Sequence, residues 1–306
     1  MPNTKITFII HAKLRGISSL KSEIEATFSN GYEIKFKSTN KTFGAKDSAI
    51  EAIEENAEII VICGGDGSIN ETVNGFLETE NSHAINFGVL PLGTGNDFSR
   101  SLSVKNNLQE LKSLIEQRKT IDVSVFKMNF IDKKQNENSR YFVNISDIGL
   151  GGFVVKKVSH SSKILGGNIT YFLAIIFSFL QYKKQAVQLK SDTFNWEGNM
   201  MSLCMANGKY FGSGMCIAPD ANICDDRLQL TILGNVSLWD YIKNLNKIRK
   251  GQKIKHKEIF YTSVNNCKIT SKENPCPIDM DGEFIGFTPL EVNLAERKIS
   301  FYGIGK

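Results

Sequence analysis

With 306 residues, the chain is long for one core and short for three, which sets an expectation of two modest domains. An apolar share of 41% against a charged share of 23%, with no low-complexity tract or internal repeat, excludes a disordered or solenoid chain. A net charge of +5 permits attraction to nucleotides, nucleic acid or acidic lipid surfaces without choosing among them, and the six cysteines show no C-x-x-C pair, against a disulfide framework or a zinc site.

The opening MPNTKITFII lacks the basic region, long apolar stretch and cleavage site of a secretion signal. Alternating apolar runs and amphipathic stretches then fill the first 120 or so positions. They predict strands at Ile6–Ile10, Tyr32–Phe36, Ile59–Cys63 and Phe87–Leu90, and helices at Ser19–Phe28, Lys46–Glu55 and Ile69–Leu77. That order is the mark of a parallel sheet with crossover helices, which binds ligands at the carboxyl ends of its strands.

From about Tyr141 the period changes to two, as where Leu290, Val292 and Leu294 face one way and Glu291 and Asn293 the other. Short antiparallel strands follow from this, with a helical insertion near 165–183. The expected domains are 1–126, α/β and nucleotide-binding; 127–290, β-rich and facing the substrate; and a C-terminal segment, 291–306, packing back on the first domain. A cleft between the two domains is the expected site. The longest apolar run, Tyr171–Leu180, spans ten residues, half of the ~20 that a bilayer crossing needs, so it reads as a buried or interfacial helix.

Two Gly-rich turns carry the chemistry. In "VICGGDGSIN" (61–70) a strand runs into Gly64, Gly65, Asp66, Gly67 and Ser68 and then a helix, an arrangement that exposes backbone N–H groups where an anion is favoured. Asp66 is the difficulty, because a carboxylate beside phosphate oxygens is repulsive unless a cation lies between them or the acid takes a proton from an attacking hydroxyl. Either role implies phosphoryl transfer; the plain alternative is a tight turn with Asp66 capping the helix. The second turn, "GVLPLGTGNDFSRSL" (88–102), repeats strand, glycines and helix, with Thr94 and Asn96 as polar groups and Asp97 at the next helix start. Here too a capped turn is the alternative.

Taken together, GGDGSINETVNGF and GVLPLGTGNDFSRSL closely resemble the bacterial members of the diacylglycerol kinase catalytic-domain family, soluble lipid kinases related to sphingosine and ceramide kinases. The resemblance continues in order through "YFVNISDIGLGGFVVKKV" (141–158), "NGKYFGSGMCIAPDANICDDRLQL" (207–230) and "DMDGEFIG" (279–286). It implies a Rossmann-like α/β domain followed by an antiparallel β-sandwich, and an ATP- and Mg²⁺-dependent kinase that phosphorylates a hydroxyl of diacylglycerol or a related lipid. Where residues match, Gly64, Gly65, Asp66, Gly67, Ser68, Ile69, Asn70 and Thr94 would bind ATP, with Thr39 a weaker candidate. Asp66, Asp97 and Asp122 would organise Mg²⁺ at the reacting phosphates. Glu283 resembles the family's proton acceptor, although Asp281-Gly282-Glu283 also reads as a plain surface hairpin. Asp225, with backbone around Asn222 and Arg227, resembles a structural Mg²⁺ site, with a solvated turn as its alternative.

Departures are visible. "IIHAKLRG" has His11 and Ala12 where the family carries Asn-Pro; Ser68 replaces a Thr; and Cys224-Asp225-Asp226 stands for Asp-Asp-Gly, leaving the second metal site in question. The stretch from Lys243 to Lys257 holds seven basic residues and no acid, suited either to anionic headgroups or to a solvated face. The expected setting is cytoplasmic, with transient peripheral contact at the inner face of the membrane, and a homodimer is allowed. An NAD kinase-like activity shares the first glycine turn and is the competing enzyme reading; a non-catalytic nucleotide or lipid sensor is the competing binding reading. Nucleic acid is not expected as a partner, since the basic residues lack interleaved aromatics.

Overall fold

The computed structural model describes residues 3–40, 42–80, 84–159 and 176–305. The chain divides into two compact units, Met1–Val123 with Arg297–Lys306, and Ser124–Glu296.

In the first unit, β1 (Thr4–Ile10), β2 (Tyr32–Ser38), β3 (Ile59–Gly64) and β4 (Asn86–Pro91) run parallel. They are linked by α1 (Ile17–Thr27), α2 (Ala45–Glu54) and α3 (Asp66–Glu78). These are the elements that the alternation predicts, with ends moved by one or two residues, except that α3 starts three residues early. The cause is Gly65, which takes an extended conformation as the N-cap and lets the helix begin inside the glycine run. Every residue of β3 is buried, as befits a strand covered on both faces.

Beyond β4 come α4 (Asp97–Leu102), α5 (Leu108–Glu116) and β5 (Thr120–Val123). The sheet order is β2-β1-β3-β4-β19-β5, in which β19 (Ile299–Tyr302) is parallel to β4 and antiparallel to β5. Phe301 anchors it, fully buried, with ring centroids 5.6 Å from Phe87 and 5.2 Å from Phe98.

The second unit is an antiparallel sheet of 11 strands. Its main path is β10 (Asn195–Met200), β9 (Gln185–Ser191), β16 (Asn266–Ser271), β18 (Glu283–Leu294), β17 (Pro277–Met280), β8 (Ile145–Gly149), β11 (Ser202–Ala206), β14 (Leu228–Leu233) and β15 (Ile259–Val264). A ribbon of β6 (Phe126–Asp132) and β7 (Glu137–Phe142) joins at β18, which continues through residue 290 to its end at Leu294, while β12 (Tyr210–Phe211) and β13 (Met215–Cys216) pair with each other in a separate small sheet. Phe126, Met128, Leu203, Leu230, Ile269 and Val292 form part of its core. Leu290 and Val292 are buried as the alternation predicts; Leu294, the last residue of the strand, is 39% exposed instead.

Among the described residues α6 (Leu150–Ser159) and the helix Leu238–Arg249 accompany the sheet, the latter started by a capping box between Ser237 and Asp240. Of the insertion expected near 165–183, residues 176–181 are helical; 165–175, including the first half of the apolar run, lie outside the described residues. No helix among the described residues is long and apolar enough to cross a membrane.

Phe301→Ala is expected to destabilise the protein by about 3–5 kcal/mol, the usual cost of emptying a buried aromatic site. Urea denaturation followed by circular dichroism measures it, and a loss below about 1 kcal/mol would show that β19 does not anchor the first sheet.

Candidate active site

β3 and β4 pair in register as far as Gly64 and Pro91, so the turns that follow them start abreast. Leu92 N and Gly93 N both donate to Gly64 O, at 2.9 and 3.2 Å. The loops then cross so closely that a Cβ on Gly93 would lie 2.4 Å from Gly65 Cα. Such a backbone-on-backbone crossing admits only glycine. Asn96, at φ 54°, closes the second loop on itself: its Oδ1 accepts from Gly93 N at 3.0 Å and its Nδ2 donates to Gly93 O at 2.8 Å.

Asp66 ties the two loops together. Its Oδ2 accepts from Asp97 N at 3.0 Å and its Oδ1 from Phe98 N at 2.9 Å. Thus it sits in the first turn of α3 yet caps the neighbouring helix α4, while remaining half-buried. Capping does not exhaust a carboxylate, whose two oxygens offer about four acceptor positions. Asp97 lies next to it, buried, with Arg100 Nε 3.5 Å from its Oδ1. Two hard carboxylates so placed are the donor type that Mg²⁺ takes.

The first intrahelical bond of α3 runs from Ile69 N to Gly65 O, which leaves the preceding N–H groups as an anion-favouring terminus. Gly67 faces open space, for a Cβ there would meet nothing within 4 Å. Ser68 is buried against Gly64, its Oγ 2.6 Å from where a Gly64 Cβ would sit. Glycines at 64, 65 and 93 therefore admit the close contacts of the crossing, and Gly67 alone leaves open space beside the helix start.

Other predicted residues are placed differently. Ile69 and Asn70 are buried beneath the helix, where Asn70 Oδ1 accepts from Asn74 Nδ2 at 3.2 Å. Thr39 is also buried; its Oγ1 accepts from Ala12 N at 3.0 Å, so it braces the turn after β1. That first turn, irregular in sequence, is pinned at His11 N to Cys63 O. Thr94 is exposed in the second loop. Asp122 is on the end strand β5, where it accepts from Ser300 Oγ of β19.

In the second unit, Met280 and Glu283 are register partners, so Asp281 and Gly282 form a two-residue turn, both at positive φ, 50° and 85°. The sequence left this stretch as either a base or a plain hairpin; it is a hairpin with unusual anchoring. Asp281 N donates to Ile145 O while Asp281 Oδ1 accepts from Ile145 N, each at 3.0 Å. Asp279 Oδ1 accepts from Gly282 N at 2.8 Å. Glu283, half-exposed, is held by Arg140 Nη1 at 2.9 Å from its Oε2.

Beneath the hairpin, Asp279 faces Asp147 across β17 and β8. Both are buried. Burial pushes Asp147 up to about 7, against hydrogen bonds from Ser202 and Cys204 that favour its ionised form. Burial raises Asp279 well above the usual carboxylate range, and the Asp147 charge adds to it. Neither acid is singled out in the sequence analysis, and Asp279, two residues before Asp281 in the DMDGE stretch, is the one that the resemblance could have flagged; nothing there points to Arg140. Asp147 also borders an apolar cavity of about 90 Å³, walled by Leu150, Val154, Phe179, Tyr241 and Ile248.

The Asn222–Arg227 stretch is a self-bonded turn. Asn222 Oδ1 accepts from Cys224 N at 3.2 Å, and Asp225 Oδ1 from Arg227 N at 3.0 Å. Asp226 supplies the left-handed residue at φ 60°, and its Oδ1 accepts from Ser124 Oγ. The Arg227 guanidinium is spent on Ser263, through bonds of 2.7 Å to Oγ and to the carbonyl. Among the described residues no group of three or more His, Cys, Asp or Glu side chains is gathered to hold a metal.

The chain thus combines a parallel α/β unit carrying paired glycine turns with an antiparallel β unit, and comparison with known proteins identifies both. Residues 6–128 match the diacylglycerol kinase catalytic domain, and residues 147–302 match the YegS C-terminal NAD kinase beta sandwich-like domain. A diacylglycerol kinase of Bacillus subtilis is 29% identical over 265 residues, 86% of this chain and 84% of the relative. A probable YegS-like lipid kinase of Alcanivorax borkumensis is 26% identical over 302 residues, 97% of this chain and 96% of the relative. Among solved structures, a putative diacylglycerol kinase from Bacillus anthracis superposes with a TM-score of 0.74 at 22% identity, covering 98% of this chain and 97% of the other. Yeast NADH kinase shares the fold at a TM-score of 0.55 and 11% identity, covering 99% and 84%. The chain belongs to the bacterial diacylglycerol kinase catalytic-domain family. It is a lipid kinase, a phosphotransferase.

Two outcomes follow from this geometry. Gly93→Ala must push the crossing loops apart and is expected to destabilise by about 1–3 kcal/mol, whereas Gly67→Ala, in open space, changes stability by less than about 1 kcal/mol; equal thermal shifts for the two would refute the crossing. For Asp147, the unfolded carboxyl ionises near pH ~4 while the folded one keeps its proton to about 7, so its contribution to stability is complete at pH values below ~4 and is lost as the pH rises to about 7. Asp147→Asn is therefore expected to show a stability advantage over wild type at pH 8, on the order of a few kcal/mol, that shrinks as the pH falls to ~4. Parallel pH profiles in urea denaturation would contradict this.

Proposed function

We propose that the protein transfers the γ-phosphate of ATP, in the presence of Mg²⁺, to a hydroxyl of diacylglycerol or a related lipid. The observation that carries this reading is the loop crossing at Gly65 and Gly93 with Asp66 pinned across it to the start of α4. The open side of the turn at Gly67, next to helix-start N–H groups that precede the first intrahelical bond, suits the phosphates of a nucleotide.

In this reading the backbone of Gly64–Ser68 and the exposed Thr94 hold the phosphate chain, and Asp66 and Asp97 are the residues that would hold Mg²⁺. Bound there, the cation would neutralise charge on the reacting phosphates. Asp66 owes its fixed position to two backbone donors, so no reorganisation is needed during reaction. Glu283 takes the proton of the lipid hydroxyl as its oxygen bonds to the γ-phosphorus, and the bond to the bridging oxygen of ADP breaks. Arg140 keeps the Glu283 carboxylate pointed in one direction. Asp122, on its strand beside Ser300, and Asp225, in the turn at Asn222 and Arg227, are the weaker metal assignments, as are Ile69, Asn70 and Thr39 for the nucleotide. The protein works from the cytoplasm on lipid at the membrane surface.

The test is incubation with labelled ATP, Mg²⁺ and a total lipid extract, with NAD as a competing acceptor, followed by mass identification of the product. Labelled lipid is expected. Glu283→Gln should lower kcat by about 10²–10⁴-fold with an unchanged circular dichroism spectrum, and Asp66→Asn should also abolish turnover. Label in NADP alone, or wild-type turnover by either variant, would overturn the assignment.

A further inference from the structure

We propose that the outward face of the helix Leu238–Arg249 is the surface by which the protein docks on an anionic lipid bilayer, directly over the apolar cavity that the inward face of the same helix helps to wall. The proposal rests on the acceptor being a lipid, and it deepens that reading by naming where the lipid surface is met.

The outward face has two halves. At its start Trp239 is 76% and Ile242 39% exposed. Beside them, on the helical turns at 176–181, Phe177 is 59% and Leu180 70% exposed, and the two helices are in contact through Phe179 and Tyr241, whose ring centroids are 5.5 Å apart. Large apolar groups exposed singly need no explanation; four on adjoining helices do. From Ile242 onward the exposed positions are Lys243, Asn246, Lys247, Arg249 and Lys250. Lys243 lies within the field of Asp240, the one acid on this helix, while Lys247, Arg249 and Lys250 have no carboxylate within ion-pair distance among the described residues. An apolar patch alone would suit a protein partner equally well. Four cations against the single acid Asp240, next to an exposed tryptophan, select an anionic bilayer, where the indole sits at headgroup depth and the cations meet lipid phosphates.

The opposite face supplies continuity with the substrate. Tyr241 and Ile248 point inward and border the cavity together with Leu150, Val154 and Phe179. A lipid chain leaving the bilayer at this helix thus meets apolar wall on the same element, next to the strand pair that carries Asp147.

The chain has two tryptophans, so Trp196→Phe leaves Trp239 as the sole fluorescent reporter. With the full chain and no nucleotide, Trp239 emission is expected to shift to the blue and be quenched by brominated lipid on vesicles containing phosphatidylglycerol, and to stay unchanged on pure phosphatidylcholine. Trp239→Ala with Ile242→Ala should reduce co-sedimentation with the anionic vesicles, and Lys243→Gln with Lys247→Gln should weaken it about fivefold per charge removed, with circular dichroism spectra like that of wild type. Vesicle binding is read without turnover, so failure of docking and failure of the kinase reading are separate results. Unshifted Trp239 emission on the anionic vesicles, wild-type binding by both pairs of variants, or a dimer in solution that buries Trp239 would overturn the proposal.

Discussion

The pair of hydrogen bonds from the Asp97 and Phe98 amides to the Asp66 carboxylate is the constraint on which the first unit's two glycine turns depend. It joins residues 31 and 32 positions apart, and it is charge-assisted at both ends, since an ionised acceptor meets the partial positive charge of a helix start. Aspartate has the reach to bond two successive amides from the first turn of α3; a longer acid would have to fold back on itself. Because Gly64 O also receives Leu92 N and Gly93 N, the two turns behave as one body. Their glycines are needed less for flexibility than for the absence of side chains at the crossing.

The second unit solves a different problem. Glu283, the base in the proposed reaction, is on a strand end beside a two-residue turn, and a bare hairpin would leave it loose. Asp281 and Asp279 fasten the turn from below, and Arg140 fastens the glutamate from the side. The cost is a pair of buried acids, Asp147 and Asp279, on facing strands. Such groups are tolerated when they keep a proton, which is the state that burial favours for both. A fold shared with yeast NADH kinase therefore says little about the acceptor; the groups planted on it must.

Much of this was legible in the sequence wherever the signal was local. Strand and helix periods gave the elements of the first unit, and the glycine spacing gave both turns. The early start of α3 was missed because helical periodicity begins only at Ile69, while the cap that starts the helix is a bare glycine. Ile69, Asn70 and Thr39 sit in or near the right turns, yet their side chains are turned inward or spent on Ala12, and burial of that kind is a tertiary property. The same limit hid Arg140 and Asp147, whose partners are brought to them by strand pairing. Asp226 was the opposite case: a departure from the glycine pattern whose left-handed backbone the residue type itself made acceptable.

The placement of β19 bears on how the chain is made. Ser300 is 178 residues from its strand neighbour Asp122, and everything between belongs mostly to the second unit. During synthesis the sheet of β1 to β4 waits with an open flank until that whole unit has emerged, so the ribosome releases the later unit's sequence before the earlier unit can close. Long-range pairing of this sort slows folding and leaves a strand edge unprotected in the meantime. The nascent first unit is thus the stage at which chaperone engagement would matter most.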